Sequence, residues 1–150
     1  MKSSFKVKLP HTNRHKTVFL VEDDEDDQFL FTEALSEIKN ATLFGIANNG
    51  KEALERLAQT TILPDIIFTD INMPIMNGIE CLTQIKSNLI TESIPVVIIS
   101  SASQHIEMAA SLGVISFIVK PSSCQLLRNK IEQAINLVFV PNLQPIQSTR

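Results

Sequence analysis

Six consecutive acidic residues, Glu22-Asp23-Asp24-Glu25-Asp26-Asp27, follow the apolar run Val18-Phe19-Leu20-Val21. Negative charge packed this densely is costly unless something offsets it. For Asp24 to Asp27 the offset is local, because carboxylates in the first turn of a helix cap its free N–H groups and interact well with its dipole. Glu22 and Asp23 stand instead at the carboxyl end of a strand-like run, where an acidic step faces a crevice. Asp70 stands in the same way after Ile66-Ile67-Phe68 and before Ile71-Asn72-Met73-Pro74. Taken alone, Asp70 is equally a loop cap or a functional carboxylate. With Glu22 and Asp23 it makes three carboxylates at one end of neighbouring strands, and a hard divalent cation bound through oxygen resolves their repulsion. Mg²⁺, which keeps several of its waters, suits a site with so few protein ligands. Ser100 ends the run Val96-Val97-Ile98-Ile99, and Lys120 follows Phe117-Ile118-Val119. A strand-end serine is usually a helix cap and a lysine usually solvated surface, but the stem of Lys120 leaves a buried strand and its ammonium emerges over the same crevice. Carboxylate, cation, hydroxyl and ammonium together suit phosphoryl transfer to a carboxylate. Asp70 attacks, Lys120 and the cation neutralise the phosphoryl oxygens, and Ser100 donates a hydrogen bond to one of them. Pro121 allows a cis bond that would fix the loop carrying Lys120.

The elements that must position these groups follow from hydrophobic period. Five short runs rich in β-branched residues, 17–21, 42–47, 65–69, 96–99 and 116–119, read as strands. Between them apolar residues recur three and four apart: Phe29, Leu30, Ala34, Leu35 and Ile38; Ala53, Leu54 and Leu57; Ile79, Leu82 and Ile85; Ile106, Ala109, Ala110 and Leu112. A last helix runs through Leu126, Leu127, Ile131, Ile135 and Leu137. Three strands are apolar throughout, the pattern of a parallel sheet covered on both faces. Strict alternation then predicts an α/β fold, a doubly wound five-stranded parallel sheet with helices on both faces, whose ligands bind beyond the carboxyl ends of the strands. At 150 residues, 44% hydrophobic, the chain supports one core. The expected division is a basic flexible tail over 1–15, the folded domain over 16–138 and a flexible C-terminal tail over 139–150. Net charge is only −3, so direct nucleic-acid binding is not expected. Cys81 and Cys124 lack metal-binding spacing and read as buried, reduced thiols. No apolar run reaches the roughly 18 to 20 residues of a membrane span, and the N-terminus lacks the apolar core of a secretory signal, so a cytoplasmic protein without membrane insertion is expected.

With these motifs in place, the sequence resembles the response-regulator receiver family over about residues 17–137. The resemblance is carried by Phe-Leu-Val-Glu-Asp-Asp at 19–24, Thr-Asp-Ile-Asn-Met-Pro at 69–74 with Asn77-Gly78, Ile-Pro-Val-Val-Ile-Ile-Ser at 94–100, and Phe-Ile-Val-Lys-Pro at 117–121. It implies a flavodoxin-like sheet and a stand-alone two-component response regulator. Asp70 would be the phosphoacceptor. Asp23 and Asp70 would be carboxylate ligands of Mg²⁺, with Asn72 adding a backbone carbonyl and Glu22 joining through water. Ser100 and Lys120 would bind the phosphoryl group, the Ser100 hydroxyl moving toward it and Phe117 following inward. Phosphorylation adds roughly −1.5 to −2 charges and three acceptor oxygens, so the conformation that brings Ser100 and Lys120 onto them gains weight. The responding face is the fourth helix, fifth strand and fifth helix, about 103–137. Three departures from the family's commoner pattern stand out. Phe117 replaces a tyrosine, Ser122-Ser123 replaces a phenylalanine after Lys120-Pro121, and Ala102, two residues past Ser100, joins Asn72 in tuning hydrolysis of the phosphoaspartate.

As such a member the chain would be a phosphoacceptor switch, with self-catalysed phosphorylation and dephosphorylation, rather than an enzyme acting on other substrates. Its phosphodonor would be a sensor histidine kinase or phosphotransfer protein, docking near the first helix and the loop after Lys120, with the acidic stretch steering a basic partner. No second domain follows Leu137, so output is expected through another protein whose identity the residues do not give. A homodimer through the fourth-to-fifth-helix face stays open. The competing functions are a degenerate receiver acting as a constitutive binding module, and a haloacid-dehalogenase-type phosphohydrolase. The second would place its nucleophile on the first strand as Asp-x-Asp and its acidic pair last, the reverse of the order found, and the chain has no room for a substrate-covering cap. A flavodoxin-like cofactor binder needs a Gly-rich or Ser/Thr-rich phosphate loop after the first strand, which this chain of four glycines lacks.

Overall fold

The β-branched runs become five strands and the stretches of helical period five helices, in strict alternation. The computed structural model describes residues 15–139. In chain order these are β1 (Lys16–Val21), α1 (Glu25–Ser36), β2 (Ala41–Ala47), α2 (Gly50–Gln59), β3 (Ile66–Thr69), α3 (Gly78–Ser87), β4 (Val96–Ser100), α4 (Ile106–Ser111), β5 (Ser116–Val119) and α5 (Cys124–Phe139). All strand pairs are parallel, in the order β2-β1-β3-β4-β5. The order reverses between β1 and β3, the switch point beyond which a doubly wound sheet opens its crevice. The tails expected at either end lie outside the described residues, apart from His15 and Phe139. Phe139 corrects a boundary, since α5 continues through Val138 and Phe139, both packed on the core, and the Lys16 Nζ lies 4.9 Å from the Phe139 ring centre.

Because successive strand residues point to opposite faces, each apolar strand supplies both layers. Val18, Leu20, Ile66, Phe68, Val97 and Ile99 pack with Phe31, Ala34 and Leu35 of α1 and with Leu127, Ile131 and Ala134 of α5. Phe19, Val21, Ile67 and Val96 pack with Ala53 and Leu57 of α2 and with Cys81, Leu82 and Ile85 of α3. Ala34, Leu35 and Ile38 are buried as expected, but the residue of the first helix that joins them is Phe31 rather than Phe29 or Leu30. Phe31 is buried and stacks edge-on against Phe68 at 5.2 Å, whereas Phe29 and Leu30 are 63% and 42% exposed. Cys81 is buried as expected, but Cys124 is only half-buried; both are free thiols.

The helices on the crevice side begin at side-chain caps. Asp24 caps α1 through the Asp27 N–H, Asn49 caps α2 through the Glu52 N–H, and Asn77 and Glu80 form a reciprocal capping box at α3. Ser123 accepts from the Leu126 N–H at 3.1 Å at the start of α5. The exception is α4. It has six residues, no side-chain cap bond at His105, and Ala109 as its one buried residue.

Gly78 opens α3 against the loop that follows β3. A Cβ there would stand 1.9 Å from the Asp70 carbonyl oxygen, which is backbone and cannot yield as a flexible side chain would. Gly78→Ala therefore gains about 1 kcal/mol of helix propensity but loses more to overpacking, which typically costs about 1–3 kcal/mol. Urea denaturation is expected to show the variant less stable than the parent, with the β3–α3 loop displaced.

Candidate functional site

The register of the sheet decides what meets at the crevice. Val21 is the pairing partner of Thr69, so Glu22 and Asp70, the next residue of each chain segment, leave the sheet side by side. The Asp70 N–H donates to the Val21 carbonyl at 2.9 Å. On the other side Ser100 pairs with Val119, and the Lys120 N–H donates to the Ser100 carbonyl at 2.8 Å. Four strand ends thus deliver Glu22, Asp70, Ser100 and Lys120 to one edge.

Glu22, Asp23 and Asp70 bring carboxylate oxygens within 4.8 Å of one another. Glu22 and Asp70 are buried, at 2% and 7% exposure, while Asp23 is exposed. Hard oxygen donors converging from two strand ends, one of them open to solvent, fit a divalent cation of the Mg²⁺ or Mn²⁺ kind that retains waters. Each buried carboxylate is already held. Glu22 Oε2 accepts from the Asp24 N–H at 3.1 Å and Asp70 Oδ1 from the Ile71 N–H at 2.7 Å.

Lys120 binds the cluster together. Its Nζ lies 2.9 Å from Glu22 Oε1, 3.2 Å from Asp70 Oδ2 and 2.7 Å from Asp27 Oδ2. The last contact is absent from the sequence-based expectation, which places Asp27 only among the residues that favour the start of α1. Both roles hold at once, since Asp27 lies in the first turn and its side chain reaches the crevice. The signal was available: side chains in a helix tilt toward its N-terminus, and this N-terminus follows directly on the strand end where Lys120 emerges.

The other expected residues stand apart from this network. Ser100 is buried at the end of β4, and its hydroxyl accepts from the Ala102 N–H at 3.4 Å. Among the described residues no hydrogen bond joins it to Asp70. Asn72 is exposed in the loop after β3. Phe117 is half-buried in β5, packed on the cluster of Ile71, Ile98 and Ala109 beneath α4. No cis peptide bond occurs among the described residues, so Lys120–Pro121 is trans, against the cis bond that the sequence allowed.

Burial dominates the electrostatics of Glu22. Burial and, more weakly, the Asp70 charge push the carboxyl up, the Lys120 hydrogen bond and the Asp24 N–H pull it down, and the net result is a rise from 4.5 to about 7. For Lys120, burial works to lower the ammonium, but the hydrogen bonds it donates to Asp27 and Glu22 and the charge of Asp70 together push it above its ordinary value. The ammonium stays charged at any physiological pH.

Comparison with known proteins agrees with this geometry. The response regulator receiver domain family matches residues 18–132. A probable cyclic di-GMP phosphodiesterase of Vibrio cholerae serotype O1 is 34% identical over 117 residues, 77% of this chain and 25% of that protein. The first curated relatives are longer proteins, of whose length the chain spans between 25% and 38%. Among solved structures, the phosphorylated cyanobacterial phytochrome response regulator RcpA superposes with a TM-score of 0.73 at 31% identity, over 85% of this chain and 96% of that one. The CheX-CheY-BeF3-Mg complex from Borrelia burgdorferi gives a TM-score of 0.74 at 28% identity, over 85% and 92%. Among the described residues no helix is long and apolar enough to cross a membrane.

The raised Glu22 carboxyl has a measurable sign. Between about 4.5 and about 7 the folded protein binds this proton and the unfolded chain does not, so the contribution of Glu22 to stability falls as pH rises through that window and stays low above it. Urea denaturation in the presence of a chelator is expected to show this decline from pH 5 to 7.5, and Glu22→Gln is expected to flatten it. Equal slopes for the two proteins would contradict the burial argument.

Proposed function

The chain belongs to the response regulator receiver domain family, and on that premise we propose that it is a phosphoacceptor switch, taking a phosphoryl group on Asp70 from a sensor histidine kinase or phosphotransfer protein. The observation that carries this reading is the Lys120 ammonium held 3.2 Å from the Asp70 carboxylate, beside a carboxylate cluster that fits a cation.

Asp23, Asp70, Glu22 and Asn72 would hold Mg²⁺. When bound, the ion offsets charge on the phosphoryl oxygens and relieves repulsion among the carboxylates. The remaining work falls to the chain's own groups. An Asp70 carboxylate oxygen forms a bond to phosphorus as the bond from phosphorus to the donor's imidazole nitrogen, or to the acyl oxygen of a small donor, breaks; the leaving group departs with its electron pair. Lys120 follows the charge from the carboxylate onto the phosphoryl oxygens. Ser100, whose hydroxyl makes no bond to Asp70 in the resting arrangement, turns to donate to one of them. Its movement vacates space that Phe117 is placed to enter, because Phe117 packs between the sheet and α4. The change then reaches α4, β5 and α5, the face read by a downstream protein.

The phosphodonor's docking surface is α1 with the loop after Lys120. Phe29 and Leu30 are exposed there, beside an acidic first turn of Glu25, Asp26 and Asp27. This surface suits a partner that offers an apolar patch within a basic rim. A constitutive binding module would need none of the carboxylate and ammonium convergence, which is the specific reason to prefer the switch.

Incubation with a small acyl phosphate and Mg²⁺, followed by intact-mass measurement, is expected to add one labile phosphoryl group to the wild type, none in excess chelator and none to Asp70→Ala. A folded wild type that gains no mass would favour the constitutive module. Steady turnover of unrelated phosphate esters would favour the phosphohydrolase.

A further inference from the structure

A lysine ammonium offers three N–H donors and no acceptor. In Lys120 three carboxylates take them: Asp27 Oδ2 at 2.7 Å, Glu22 Oε1 at 2.9 Å and Asp70 Oδ2 at 3.2 Å. The longest contact goes to the residue that phosphorylation would change. Glu22 belongs to the converging carboxylate cluster; Asp27 is outside it and comes from a helix rather than a strand end. Its backbone is fixed twice over. The Asp27 N–H donates to the cap residue Asp24 at 2.9 Å, and the next residue, Gln28, donates from Nε2 to the Glu22 carbonyl at 2.6 Å and to Asn48 Oδ1 at 2.9 Å. Asp27 is therefore a fixed point, tied to the same turn that carries Glu22.

We propose that Asp27 is a positioning residue for Lys120, holding the ammonium by a bond that phosphoryl transfer leaves intact while the donor now given to Asp70 passes to a phosphoryl oxygen. The proposal rests on the phosphoacceptor reading of Asp70. As the Asp70 oxygen bonds to phosphorus and the donor's bond breaks, the carboxylate loses its charge and phosphoryl oxygens arrive in the same place. An ammonium held by Glu22 alone would swing on a flexible four-carbon stem. Held by Glu22 and Asp27 together, its third N–H is already aimed, and the ordering needed in the transition state is present beforehand.

The full chain is compared as wild type, Asp27→Ala, Asp27→Asn and Asp70→Ala. Two quantities are read. The first, in the unphosphorylated protein, is water exchange of the Lys120 ammonium by ¹⁵N–¹H NMR, its signal assigned by its loss in Lys120→Met. The second is the time course of phosphoryl uptake over a range of small acyl phosphate concentrations with Mg²⁺, which separates the saturating rate from the half-saturating concentration. In Asp27→Ala, ammonium exchange is expected to accelerate and the saturating rate to fall about tenfold, the scale of one charge-assisted hydrogen bond, with half-saturation moving less than about twofold. Asp27→Asn, which keeps an acceptor oxygen and the helix geometry, is expected to fall between the two and serves if the alanine variant does not fold. Wild-type uptake that is absent in Asp70→Ala, with exchange or saturating rate unchanged in the Asp27 variants, overturns the role of Asp27 and leaves the phosphoacceptor reading standing. A shift confined to half-saturation and erased by salt also overturns it, because Asp27 would then act as bulk charge. No uptake by the wild type overturns both readings.

Discussion

One ammonium stands among four carboxylates. Glu22, Asp23, Asp27 and Asp70 gather at one edge of the sheet, with Lys120 as the cation that contacts three of them. A buried carboxylate without a partner is strongly destabilising, so the position of Lys120 constrains everything that delivers it. β5 must end where its next residue reaches over β4, and the register of β1 with β3 must bring Glu22 and Asp70 out together. The glycine at 78 lets α3 start against the Asp70 carbonyl. The first turn of α1 must face back toward the strand ends. The same residues that set the fold's register set the distances of the site.

The apolar runs made the sheet legible because their signal does not depend on phase. A strand buried on both faces reads as continuous hydrophobicity, and Val18 to Val21, Ile66 to Phe68 and Val96 to Ile99 all pack as that pattern requires. Helix phase is a finer quantity. In α1, Phe29, Leu30 and Phe31 are consecutive, and three apolar residues in a row span some 200° of a helix. Counting back three, four and seven residues from Ala34, Leu35 and Ile38 selects Phe31 and leaves Phe29 out of phase, so the signal was present and the run of three apolar residues hid it. The strand-end carboxylates and lysine were visible from residue type and position. Asp27 was masked by a second reason for being acidic, its place in the first turn of a helix.

Resting and phosphorylated states would differ in which acceptors surround Lys120 and Ser100. In the arrangement described here Ser100 is bonded to its own loop through Ala102, and Phe117 is half-buried beneath α4. Neither is locked into the carboxylate network. The groups that hold the chemistry are tightly bonded, while the groups that would report it are loosely bonded, so a change in charge at Asp70 can alter the second set without dismantling the first.

The short fourth helix sharpens that division. An isolated helix of this length does not sustain itself in water, and α4 adds neither a side-chain cap nor more than one buried residue. Its amides are therefore protected mainly by neighbours, and the local opening free energy of this segment lies far below that of the sheet and of α1 with α5. By that argument α4 is the segment expected to open first. Such a segment could be redrawn at a cost below that of unfolding, so a charge added at Asp70 would reshape this face while the core that positions the charge stays folded.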